Sequence, residues 1–279
     1  MGKVPQGMHM GATLRLLRVD AGLSLRDLAR RIGVSSAYLS RVENGLDAPP
    51  TQERLSAIAR ELDVPAALLM DVANKVSPYV TGYLEEVPAA GTLLLDIARR
   101  RLTAAQLARV RTFLDAEFPV REARGDEPVP ALSSLLSPER VVLQLGCESW
   151  EDALDVVAGR LAAACPGVDS ARLAAHLRQR EEESASAVGN GVATPHGYSA
   201  GAVPAAVLVT LAQPLSRDTP DGQPLRLVVA LLDGLHGRAR LVRLAHVARL
   251  AGRGMADWLM DARQPAEVIE RLAELEALR

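Results

Sequence analysis

Aromatic side chains are scarce in this chain: two Trp, four Tyr and two Phe among 279 residues. Binding of single-stranded nucleic acid by base stacking needs aromatic platforms, so that class is disfavoured from the outset. Cysteine is nearly absent too. Cys147 and Cys165 stand alone, without a C-x-x-C spacing, and two isolated thiols suit a reducing cytoplasm better than a disulfide framework. The N-terminus lacks an apolar run of signal-peptide type, and no stretch approaches the ~20 apolar residues of a membrane span. The expectation is a cytoplasmic protein with no membrane partner. A large charge of one sign is missing as well. The formal net charge of -2 gives no global pull toward nucleic acid, so such a partner must be met by a local patch. What remains is a globular profile, 48% apolar and 24% charged, in a chain long enough for two domains.

Residues 1–10 (MGKVPQGMHM) carry two glycines and a proline without periodicity and read as a loose tail, with His9 solvated in it. From Gly11 the pattern turns helical. Leu14, Leu17 and Ala21 share a face up to a stop at Gly22, and Ser24 caps a second helix bearing Leu28, Ala29 and Ile32. Gly33-Val34 makes a tight turn, and Ser35 or Ser36 caps a third helix that ends at Asn44-Gly45. A fourth helix follows Pro49-Pro50-Thr51, and a short fifth starts at Pro65. Five short helices, the second and third joined by a glycine-centred turn, amount to helix-turn-helix geometry. Residues 11–70 resemble the XRE (Cro-type) family of DNA-binding regulators, whose pattern Leu23-Ser24, Leu28-Ala29, Gly33-Val34, Leu39-Ser40 and Glu43 to Gly45 follow in one register.

That resemblance implies an all-α, lambda-repressor-like unit whose third helix enters the major groove. Ser35, Ser36, Ala37, Tyr38 and Arg41 would face base edges and flanking phosphates. Arg26 and Arg30, with Arg31 beside them, would contact the backbone, which positions without specifying. Leu25 stands where many members carry a phosphate-touching glutamine, and Arg26 is its candidate substitute. Eight Arg against seven Asp plus Glu over residues 11–70 leave a net of +1, so one unit binds weakly by counterion release. A homodimer on a pseudo-palindromic double-stranded operator is expected, with half-sites about 34 Å apart.

Residues 71–118 read as a helical connector, with amphipathic helices over 92–101 and 103–118 and a stripe of Leu107, Val110, Leu114 and Phe118 suited to dimerisation. Arg99 to Arg101 form a short basic run, in all expectation a solvated helix end. Residues 119–131, with three prolines and many charges, read as a linker.

From residue 132 to 279 the rhythm changes to strands alternating with helices, the pattern of a mixed sheet with flanking helices. Val141 to Leu145, Ala205 to Leu211 and Leu225 to Leu232 have strand character; 150–164, 170–182, 238–251 and 265–278 have helical character. Within this region lies REEESASAVGNGVATPH, residues 180–196. A polar, glycine-rich loop that delivers one histidine has the makings of a phosphate site. Three glutamates, 181–183, lack partners at metal-ligand spacing, and neither a metal nor another cofactor is expected. With SLLSPERVVLQL upstream and the paired strands downstream, the region resembles the fructose/mannitol/nitrogen-type EIIA domain of the bacterial phosphotransferase system.

The resemblance implies that His196 accepts a phosphoryl group from HPr or a nitrogen-branch HPr-like carrier. Arg180 matches the family's phosphate-facing arginine and Ser186 a hydroxyl lining the same site. An imidazole is a competent nucleophile near pH 7, and the protein's share of phosphoryl transfer is positioning and charge stabilisation. Gly189, Asn190 and Gly191 would turn backbone N–H groups toward the phosphate as an anion nest. Arg240 stands where many members carry a second histidine, with His236 and His246 nearby as bystanders. The chain as a whole then reads as a multidomain transcriptional regulator with a phosphoryl acceptor rather than a turnover enzyme. The phosphoryl group would alter docking onto Arg30, Arg31 or Arg99 to Arg101. Two other functions fit the same residues: a phosphocarrier serving a transporter EIIB, or an EIIA-like interaction module that is never phosphorylated.

Overall fold

The computed structural model describes residues 6–75, 78–118, 131–234 and 238–277. The 119–130 linker segment and His236 lie outside them.

The first five helices are α1 (Gln6–Asp20), α2 (Leu25–Arg31), α3 (Ser36–Glu43), α4 (Gln52–Glu61) and α5 (Ala66–Val72). Ser24, Ser35 and Thr51 cap α2, α3 and α4, each side chain accepting a backbone N–H in the first turn. Leu14, Leu17, Leu28, Leu39, Leu55, Ile58 and Leu69 pack into their common core. Arg18 braces α1 on α3 through a bidentate pair with the buried Glu43, Nε to Oε1 at 2.6 Å and Nη2 to Oε2 at 2.8 Å.

One expectation is corrected here. Residues 6–10 are not a loose tail but the first turns of α1, and His9 is buried, its Nδ1 2.5 Å from the Val188 carbonyl. Gly7 serves close packing, a Cβ there lying 3.2 Å from the Asp47 carbonyl oxygen, and helix is retained because its apolar face is covered from outside.

The connector forms α6 (Pro78–Glu86), α7 (Pro88–Arg100) and α8 (Ala104–Glu117). Pro78 and Pro88 open α6 and α7, where a missing N–H costs nothing. These helices leave Leu93, Leu94, Leu95, Phe113 and Leu114 exposed.

The C-terminal part contains β1 (Val141–Leu145), α9 (Trp150–Ala164), α10 (Ser170–Glu183), β2 (Ala187–Gly189), β3 (Val192–Ala193), β4 (His196–Tyr198), β5 (Ala205–Leu215), β6 (Leu225–Asp233), α11 (Arg238–Gly252), α12 (Met255–Leu259) and α13 (Pro265–Ala277). The sheet order is β1-β5-β6-β3-β2, with β4 also on β6. β5 and β6 are antiparallel, whereas β1 lies parallel to β5 and β3 and β4 lie parallel to β6. Alternation along β5 sends Val207 and Val209 to α9 and α10, and Ala206 and Leu208 to the opposite face.

That opposite face carries α11. Every residue from Arg240 to Ala251 is buried, because the sheet covers one side of the helix and α1 and α5 cover the other. A helix buried all round is an inner layer. The core of the helix-turn-helix unit therefore continues through α11 into the sheet as one apolar cluster. No helix among the described residues is long and apolar enough to cross a membrane.

Candidate functional site

His196 opens β4, opposite Leu231 of β6. The chain reaches it from β3 on the same edge of β6, with Thr194-Pro195 between the two short strands. The ring is buried. Its Nδ1 lies 3.0 Å from the Thr194 carbonyl, an acceptor only, so this nitrogen donates and Nε2 is the one turned into the site.

Arg180, in the last turn of α10, brings Nη2 to 2.8 Å from His196 Nε2. Arg240 enters from α11, and Tyr198 lies two residues beyond His196 on the same face of β4. Both guanidiniums lie over the Tyr198 ring, Arg180 at 5.4 Å and Arg240 at 4.2 Å from its centroid. His176 of α10 meets the ring edge-on. Burial, then Arg180, push the His176 pKa below its ordinary value.

These groups converge on an anion from the other end of the chain. Asp20, the last residue of α1, has a fully buried carboxylate. Its Oδ1 lies 3.0 Å from His196 Nε2 and 2.9 Å from Arg180 Nη2, and accepts the Tyr198 hydroxyl. Its Oδ2 accepts Arg240 Nε, and Arg240 Nη2 also reaches the Asp20 carbonyl at 2.5 Å. Burial raises the Asp20 carboxyl, but the contacts with His196, Tyr198 and Arg240 outweigh it and hold the pKa at about 2. Burial and the neighbouring carboxylate lift the Tyr198 hydroxyl well above its usual value, so it remains a donor. A carboxylate at a helix C-terminus opposes the helix dipole; it is tolerated here because two guanidiniums face it.

The other expected site residues are placed differently. Ser186 is buried, but its backbone contacts run to the Glu181 carboxylate and to Thr194 rather than to His196. Gly189, Asn190 and Gly191, all at positive φ (90°, 55° and 73°), form the β2–β3 hairpin turn. The Asn190 N–H is donated to Asp221 Oδ2 at 2.6 Å. That amide therefore holds a carboxylate in this structure, and the groups recorded at His196 Nε2 are side chains. Arg30 pairs with Asp27, Arg31 with Glu61, and Arg99 to Arg101 are exposed at the end of α7. The contact that joins α1 to α10 and α11 in this structure is made by an acid, Asp20. His246 is buried in α11 against Glu276.

Sequence reasoning missed Asp20 and Tyr198. Tyr198 could have been found from the i, i+2 spacing on a strand that begins at the histidine. Asp20, 176 positions away, carries no local signal.

In the helix-turn-helix unit, Ser35, Ala37, Arg41, Arg26 and Arg30 are exposed, and Ser36 and Tyr38 are half-buried. Arg54 stacks over the Tyr38 ring at 4.7 Å. Contact with the C-terminal part is made by α1 and α5, so the exposed α2–α3 face stays open to solvent in the docked arrangement.

Comparison with known proteins follows the same division. The helix-turn-helix family matches residues 14–69, and the family described as phosphoenolpyruvate-dependent sugar phosphotransferase system, EIIA 2, matches residues 134–274. A nitrogen regulatory protein of Klebsiella oxytoca is 33% identical over 147 residues, 51% of this chain and 90% of that protein. An uncharacterized HTH-type transcriptional regulator of Mycobacterium tuberculosis is 32% identical over 120 residues, 43% of this chain and 82% of that protein. Among solved structures, the nitrogen regulatory protein IIA-Ntr of Neisseria meningitidis superposes with a TM-score of 0.45 at 24% identity, covering 50% of this chain and 98% of its own. The chain belongs to the EIIA type 2 family of the phosphotransferase system, and carries an XRE-type helix-turn-helix unit ahead of that domain.

Proposed function

We propose that this protein is a DNA-binding transcriptional regulator whose output follows the phosphorylation state of His196. The phosphoryl group is supplied by an HPr-type carrier. One observation carries the reading: His196 Nε2 faces a cradle of Arg180, Arg240 and Tyr198 that already holds an anion. Guanidiniums match phosphoryl oxygens in geometry as well as charge. Arg240, at the position of the family's second histidine, supplies a permanent cation to the same carboxylate as His196, so its presence is compatible with acceptance. The test is incubation with phosphoenolpyruvate, Enzyme I and HPr-type carriers. Acid-labile phosphate is expected on the unmutated protein and none on His196→Ala; an unmutated protein that no carrier labels would defeat the reading.

The DNA-reading side is α3, with Ser35, Ser36, Ala37, Tyr38 and Arg41 toward the bases and Arg26 and Arg30 toward phosphates. Arg30 and Arg41 are paired with Asp27 and Asp47 on exposed surface, contacts that phosphates can exchange.

Dimerisation through the connector accounts for its exposed apolar helices. Leu107, Val110, Phe113 and Leu114 are between 36% and 58% exposed along α8, too much contiguous apolar surface for a face left in water. Leu114→Ser together with Phe113→Ser is expected to convert a dimer to a monomer in light-scattering mass measurements. Operator affinity should fall about 100-fold as the second half-site contact is lost. A monomeric unmutated protein bound to its operator would contradict this.

A further inference from the structure

We propose that Asp20 is the resident occupant of the phosphoryl cradle, so that docking of the helix-turn-helix unit and a phosphoryl group on His196 exclude one another. The inference rests on the acceptor reading of His196 and goes beyond it, because it names what the phosphoryl group must displace and what is released when it does.

The geometry leaves one position for two anions. Asp20 Oδ1 sits 3.0 Å from Nε2, the nitrogen left to react once Nδ1 is committed to the Thr194 carbonyl. A phosphorus bonded to Nε2, with its three oxygens, needs the volume that this carboxylate fills. The donors are also shared. Arg180 Nη2, Arg240 Nε and the Tyr198 hydroxyl are spent on Asp20, whose Oδ1 also meets His196 Nε2, and Arg180 Nη2 lies 2.8 Å from that same nitrogen. In the transfer, the proton that Nε2 shares with Asp20 is released to water as Asp20 leaves, and the Nε2 lone pair forms the new N–P bond while the N–P bond of the carrier's phosphoimidazole breaks, its electron pair staying on the carrier's ring. No further reactant enters. The product bears a charge of about -1.5 to -2 beside the Asp20 carboxylate. The two guanidiniums then pair with the phosphoryl oxygens, and Asp20 is repelled.

Because Asp20 ends α1, its expulsion loosens the whole seam. His9 on the Val188 carbonyl, Arg249 and Arg253 at 3.8 and 3.4 Å from Asp71, and Arg238 at 3.7 Å from Asp63 are among the polar contacts across it. The exposed side chains of α3 point to solvent in the docked form. Control therefore acts on the orientation of two reading helices across a dimer, not on covering one of them. The fixed spacing of half-sites makes orientation decisive.

The experiment uses phosphoramidate as a small phosphoryl donor, on the full chain. Phosphohistidine is followed by mass spectrometry in the unmutated protein, Asp20→Asn, Asp20→Ala and His196→Ala. Loss of a charge-assisted contact raises the undocked fraction, so both Asp20 variants are expected to be labelled about 10-fold faster than the unmutated protein, and His196→Ala not at all. Equal rates would overturn the exclusion while leaving His196 as an acceptor. No label on any variant, from phosphoramidate or from carriers, would overturn acceptance and exclusion together. Should the Asp20 variants fold poorly, hydrogen exchange on the unmutated protein decides. Amides of α1 and α11 are expected to lose protection on labelling, and unchanged protection with His196 labelled would overturn the proposal.

Discussion

Glu276→Ala is expected to destabilise the protein by about 3–5 kcal/mol, the range for stripping one partner from a buried charged cluster. Glu276 lies in α13, and its carboxylate accepts from Leu132 N at 2.6 Å, Ser133 N at 3.0 Å and Ser133 Oγ at 2.5 Å, and lies 2.6 Å from His246 Nε2. It ties the first turn of the C-terminal domain to its last helix and to α11. Alanine takes the shared acceptor away from the buried Leu132 amide, the half-buried Ser133 amide and the His246 ring, with Arg249 Nη2 still 2.9 Å from His246 Nδ1. Glu276→Gln keeps the shape and one acceptor oxygen and should cost less. Burial raises this carboxyl, but the contacts with His246, Ser133 and Leu132 prevail and hold it at about 2. A depressed carboxyl contributes stability that is fully present above its unfolded value near 4 and lost as pH falls through about 2. Asp20 follows the same sign. Acid unfolding of the unmutated protein should therefore steepen between about pH 4 and 2, and Glu276→Ala should flatten it. Denaturant titrations across that range measure both effects, and an unchanged pH slope would refute the assignment.

Gly11→Ala should cost about 3 kcal/mol, the upper end for forcing one methyl into a close-packed site. A Cβ at Gly11 would lie 2.3 Å from the Val42 carbonyl oxygen and 2.7 Å from that of Glu43. Both are backbone atoms in the last turn of α3, so no rotamer change can absorb the clash. α1 must move off α3, straining the Arg18–Glu43 pair and withdrawing Asp20 from its cradle. Loss of stability and faster labelling of His196 should therefore appear in one variant. Gly82→Ala is the control: α6 leaves open space around that position, and the same added methyl should be neutral or stabilising by up to about 1 kcal/mol. Equal losses at the two positions would mean that helix propensity rather than contact decides.

The local elements were legible to the degree that local chemistry specifies them. Ser24, Ser35 and Thr51 announce their helices because a cap is an interaction within one turn. The strands β5 and β6 announce themselves as apolar runs, although β5 runs on to Leu215 through a polar segment that only its pairing with Leu225 reveals. His196 and Arg180 were legible from spacing within a family pattern, and their 2.8 Å approach joins the end of α10 to the start of β4. The glycine turn is ambiguous in sequence, since three consecutive positive-φ residues serve a hairpin as readily as a phosphate, and in the structure the Asn190 N–H is donated to Asp221. His9 misled because burial depends on what arrives from elsewhere in the chain.

By itself the sequence determined the two families, the helix caps and the strand periodicity, and singled out the histidine on which the proposed function rests, all carried by residues within a few turns or strands of one another. Only the tertiary structure decided that α11 is an inner layer shared by both units, and that Asp20 from one unit sits on His196 of the other. The reason is physical. A carboxylate becomes fully buried only when cations and donors from α10, α11 and β4 are assembled around it, and no local pattern near residue 20 records that assembly.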